Sequence, residues 1–143
     1  VARALTRMAS DESAQKAHRR ISSSGPWEAR FGYSRALVSG DECFVSGSTD
    51  AGPDGRSRHP DDAAGQARAI LELIDDVLAR VGFGRADVVR TRMYLIDPAD
   101  VAAVGSVHGE WFADVQPAAT MVIVAALIEP SLRVEIEVDA RRA

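Results

Sequence analysis

Cysteine is nearly missing from this 143-residue chain, where Cys43 stands alone. An internal disulfide is thereby excluded. With no Cys-x-x-Cys pair and three scattered histidines, no metal site is suggested. Long apolar runs are missing too: none approaches the ~20 residues of a membrane span. The N-terminal residues lack the apolar core of a secretory signal, so the cytoplasm is the expected compartment. Positive charge is in deficit. A net charge of −4 and a pI near 5.3 argue against nucleic acid as a partner, since a general grip on it needs a basic face. Repeats, low-complexity tracts and interdomain linkers are absent. What remains is 46% hydrophobic and 27% charged, ordinary for one domain with a proper core.

Residues 1–24 are polar and mixed in charge, and are expected to form a flexible N-terminal extension to a domain over 25–143. Within the extension, Ser10-Asp11-Glu12 and Lys16, Arg19 and Arg20 suit the two ends of a short helix. Residues 33–38 and 43–48 read as strands around the turn Ser39-Gly40-Asp41-Glu42. Ala51 to His59 reads as a loop. Pro60-Asp61-Asp62 then opens a helix whose Ala63, Ala67, Ile70, Ile74, Val77 and Val81 share one apolar face, and Gly82 stops it.

Val88 to Ile96 predicts a strand with unlike faces. Val89, Thr91, Met93 and Leu95 lie on one side, and Val88, Arg90, Arg92 and Tyr94 on the other. Asp97-Pro98 begins a second helix with a buried stripe of Val101, Val104, His108, Trp111 and Phe112. Strands over 118–127 and 132–140 are expected to form a closing hairpin about Glu129-Pro130-Ser131. The last strand alternates strictly: Val134, Ile136 and Val138 point one way, and Glu135, Glu137 and Asp139 the other. The expected order is β-β-α-β-α-β-β, with both helices on one face of the sheet. Strand 118–127 is apolar on both sides, which predicts burial by another copy.

Several stretches, in order and compatibly spaced, resemble the reactive intermediate deaminase family (RidA/YjgF-like, also called endoribonuclease L-PSP). They are Gly32-Tyr33-Ser34-Arg35-Ala36, Val45-Ser46-Gly47, Gln66 through Leu78, Asp87-Val88-Val89-Arg90-Thr91, Tyr94-Leu95-Ile96-Asp97, and the Pro117-to-Asp139 segment. The resemblance runs from about Ser24 to Ala140. It implies a chorismate-mutase-like α+β fold and a homotrimer with a small-molecule cleft between subunits. The implied activity is hydrolysis of imines or enamines without a cofactor. Tyr33, Ser46, Gly47 and Glu135 match positions of the family cleft, and Glu135 matches its water-activating carboxylate. Ala119 replaces the family's substrate-binding arginine, Gly105 stands where many members carry asparagine, and Met121 where a cysteine is frequent.

The chemistry needs a guanidinium for the substrate carboxylate and a carboxylate to deprotonate water. With Ala119 the first is missing, so ordinary 2-imino acids are expected to be poor substrates. Arg92, projecting from the polar side of its strand with Arg90, is the expected stand-in. Ion pairing of these arginines with Glu135 or Glu137 is the structural alternative. Three functions follow: a deaminase-like hydrolase acting through Glu135, a non-catalytic homotrimer that binds small metabolites or a protein partner, or a different reaction in the same cleft, such as an isomerase or lyase step.

Overall fold

The computed structural model describes residues 18–143. The helix expected from Ser10 lies outside the described residues. A six-stranded sheet runs in the order β1-β2-β3-β6-β4-β5. Its strands are β1 (Arg19–Ile21), β2 (Ala36–Ser39), β3 (Glu42–Ser48), β4 (Val88–Leu95), β5 (Ala118–Ile123) and β6 (Val134–Arg141). Among the described residues three α-helices accompany them: α1 (Pro26–Phe31), α2 (Ala63–Ala79) and α3 (Val101–Trp111). All neighbouring strands are antiparallel except β4 and β5, which α3 joins as a parallel crossover.

Residues 18–24 do more than trail from the domain, because Arg19–Ile21 pairs antiparallel with β2 as an edge strand. The following helix α1 has Pro26 in its first turn and Gly32, at φ 72°, past its end. No apolar periodicity announces it, since both its large apolar residues, Trp27 and Phe31, are exposed and stack on one another. Glu28 does the anchoring: it is buried and accepts the backbone N–H of Ser23. Burial would raise its pKa, but the hydrogen bonds from Ser23 bring it below the ordinary value.

Helix α2 follows its pattern closely. The Asp62 side chain caps it by accepting from Gly65 N at 2.9 Å. Pro60 thus precedes the helix rather than opening it. Ala63, Ala67, Ile70, Ile74 and Val77 are buried against the sheet, joined by Leu71, Leu78 and Gln66. Gln66 is fully buried yet satisfied. Its Nε2 donates to His59 O and Ser131 O, and its Oε1 accepts Arg133 N. In α3, Val104 and Val107 are buried, as is Phe112 just past its end, while Val101, the first residue of the helix, is exposed.

Two β-bulges re-aim side chains. In β4, Val88 pairs with Ala140 and Arg90 with Asp139, so Val89 is the extra residue. Val88 therefore joins Thr91, Met93 and Leu95 in the core and Val89 is exposed, the reverse of strict alternation. In β3 the ladder slips between Val45 and Ser48, so that Ser46 and Gly47 occupy the span of one residue on β6.

The closing hairpin is a correction. β5 and β6 do not touch as neighbours, because β4 lies between them. β5 also stops at Ile123, and residues 124–133 form no strand. Left at the sheet edge, β5 exposes Val122 and Ile123.

Candidate functional site

Alternation along β6 sends Val134, Ile136 and Val138 into the core under α2 and leaves Glu135, Glu137 and Asp139 on the open face. The three carboxylates have different surroundings. Arg92 on β4 pairs with Asp139 at 3.3 Å and approaches Glu137 at 3.8 Å. Tyr94 donates its hydroxyl to Glu137 at 2.5 Å, and that bond raises the tyrosine pKa. Arg92 is thus ion-paired with Glu137 and Asp139, as the structural alternative expected for Glu137, rather than left unpaired to stand in for the missing cation.

Glu135 sits instead against the β3 bulge. A Cβ on Gly47 would collide with the Glu135 carboxylate, so the glycine is what admits it. Burial raises the Glu135 pKa above the ordinary carboxylate value; Arg35 opposes the shift and Glu137 adds to it. Arg35, half-buried on β2's approach, donates from Nη2 to the Gly47 carbonyl at 2.5 Å. Ser46 donates its hydroxyl to Ser34 O at 2.7 Å. Tyr33, two residues before Arg35 in the chain, is exposed. The structure therefore brings together Gly47, Glu135 and Arg35, with Ser46 beside Gly47 in the same bulge, and shows no side-chain contact of Tyr33 with them among the described residues.

Arg35 is the residue that sequence reasoning passed over. Its signal was the chain order Tyr33-Ser34-Arg35, one residue before a strand that neighbours β3. An open cavity of about 410 Å³ lies beside this cluster, lined by Ser34, Ser46, Phe44, Arg20 and the outer carboxylates of Glu137 and Asp139.

Gly105, Ala119 and Met121 lie elsewhere. In the β4–β5 register, Ala119 pairs with Thr91 and Met121 with Met93, both core-facing residues. A Cβ on Gly105 of α3 would stand 4.0 Å from Met121 Cε. These three residues form a second cluster on the helix-covered side at the β5 edge. Within one chain they do not meet Glu135.

His108 is a partly buried structural histidine: its Nε2 is 2.8 Å from Thr91 Oγ1, its ring packs on Phe112, and burial lowers its pKa. Cys43 is fully buried, and burial raises its thiol pKa. His59 is held by buried Asp50, whose Oδ2 lies 3.1 Å from His59 Nδ1. No helix is long and apolar enough to cross a membrane among the described residues.

Comparison with known proteins agrees with this architecture. An uncharacterized protein of Streptomyces coelicolor is 35% identical over 127 residues, covering 89% of this chain and 94% of that protein. The 3-aminoacrylate deaminase RutC of Acinetobacter baylyi is 34% identical over 93 residues, covering 65% of this chain and 73% of its own. A crystal structure from Mycobacterium tuberculosis, of a member of the YjgF/YER057c/UK114 family, superposes with a TM-score of 0.79 at 40% identity, covering 88% of this chain and all of that one. The family model described as Endoribonuclease L-PSP matches residues 24–142, and the chain belongs to that family.

Proposed function

We propose that the protein hydrolyses the C=N bond of a small imine, or of the imine tautomer of an enamine, with Glu135 as general base. The observation that carries this reading is the Glu135 carboxylate itself. It is half-buried against a residue with no side chain, and burial moves its pKa upward from the ordinary value. A base poised above the usual carboxylate range accepts a proton from water more readily. As that proton moves to Glu135, the water oxygen bonds to the imine carbon and the nitrogen takes up a proton. The carbinolamine's hydroxyl proton then passes to its nitrogen, the C–N bond breaks to release ammonia, and a carbonyl remains. These steps use only water and the chain's own groups. The deaminase relative supports the reaction class, since 3-aminoacrylate is an enamine.

The second cluster, Gly105, Ala119 and Met121, supports a cleft shared between copies. Its residues face away from Glu135 in one chain, and the exposed β5 edge offers a surface for a neighbour. A homotrimer is the proposed assembly. Ala119 is the observation that favours the other reading, a cleft that binds metabolites without turning them over.

Ammonia release from imines generated in solution, with the unmodified protein and with Glu135→Gln, separates the two. Hydrolysis that falls ~10²-fold or more in the variant is expected. Binding without ammonia release would overturn the hydrolytic reading in favour of the second.

A further inference from the structure

We propose that Arg35 is the specificity-determining residue of this cleft, holding the carboxylate of a small anionic ligand in the role that Ala119 cannot fill. The inference rests on the hydrolytic reading of Glu135 and adds to it the class of molecule that the site takes.

Arg35 differs from the ion-paired arginines. Arg85, Arg92 and Arg133 each have a carboxylate within 2.5 to 3.4 Å. Arg35 makes no ion pair within 4.0 Å among the described residues, and its Nε is buried with no hydrogen-bond partner there. Of the carboxylates near enough to act on it, Glu28 is occupied by Ser23 and Glu135 stands off beyond ion-pair distance. A guanidinium withdrawn from water without a contacting counterion is costly, and an unpartnered buried N–H calls for a compensating group. A ligand carboxylate supplies both the charge and the acceptors.

Its placement suits that use. The backbone on either side of the side chain is fixed, Arg35 N donating to Ile21 O and Ser46 N to Arg35 O. The single bond to Gly47 O ties the guanidinium to the same bulge that admits Glu135. Ser34 and Ser46, next in the chain to Arg35 and Gly47, line the open 410 Å³ cavity, a volume within the range of small-molecule sites. Arg35 and Glu135 both adjoin Gly47, beside that cavity, so anion anchor and base would sit together as hydrolysis of a C=N bond next to a carboxylate requires.

The test compares 2-oxobutanoate, a stable carbonyl analogue of an imino acid, with its uncharged methyl ester, by calorimetric titration. The unmodified protein is expected to bind the acid about 10- to 100-fold more tightly than the ester. Arg35→Gln should bring the ratio near one. Arg35→Lys, which keeps the charge but not the fork, should retain part of it, and serves if the glutamine variant does not fold. Equal binding of acid and ester, a preference that survives in Arg35→Gln, or no binding of either probe would overturn the proposal. Ammonia release that depends on Glu135 with no acid preference would overturn the Arg35 role alone. An acid preference that depends on Arg35 without ammonia release would overturn the hydrolytic reading alone.

Discussion

The Glu135 carboxylate lies so close to the Cα of Gly47 that no side chain fits between them. The contact joins two elements that are neighbours only because β6 was inserted between β3 and β4. It also depends on the bulge that places Ser46 and Gly47 in the span of one residue.

Gly47→Ala should therefore separate function from folding. The obstructing atoms are the flexible end of a glutamate, so the carboxylate can swing away with a stability loss below ~1 kcal/mol. Glu135-dependent hydrolysis should fall ~10²-fold. Thermal melting and ammonia release on the same preparation check both halves; unchanged hydrolysis would mean that the observed carboxylate position is unimportant.

Glu135→Gln should stabilise the protein at neutral pH, by of order 1 kcal/mol or less after the Arg35 attraction is offset. The sign follows from burial, which raises the folded-state pKa above 4.5. The protonated form is favoured by folding, so its stabilising contribution is present below pH 4.5 and is lost as pH rises through the folded value. Glutamine is neutral throughout. Denaturant midpoints should differ most near pH 7 and converge as the pH falls toward 4.5.

Much of this arrangement was legible in the chain. Helix α2 declared itself through Ala67, Ile70 and Ile74, and β6 through Val134, Ile136 and Val138, because a one-sided core imposes a period. Val89 was misplaced because a bulge breaks that period without leaving a residue-type signal. The β5–β6 hairpin was misread because a turn and two apolar runs say nothing about a third strand lying between them. Arg35 escaped notice for a similar reason: its importance comes from Glu135, a hundred residues away in sequence and two strands away in space.

Gln66→Leu should cost about 3 kcal/mol. The leucine fills the space but strands the carbonyls of His59 and Ser131 and the N–H of Arg133, which Gln66 now satisfies. Chemical denaturation would show the loss, and an unchanged midpoint would mean that water takes over the three bonds.

Light scattering should give three times the 15.3 kDa chain mass. Ile123→Asp, at an exposed position on β5, should lower that mass while leaving the circular dichroism of the fold intact. A monomer mass for the unmodified protein would overturn the shared cleft.

Glu135 and Met121 project from opposite faces of one sheet, and no side-chain rotation can carry one to the other. If a working cleft needs both faces, each chain contributes two unlike halves to two different clefts. Damage should then be complementable. Chains carrying Glu135→Gln, mixed with chains blocked at Gly105, would form some clefts whose intact halves come from different molecules. Two separately inactive preparations, unfolded and refolded together, would regain a fraction of the activity that neither has alone.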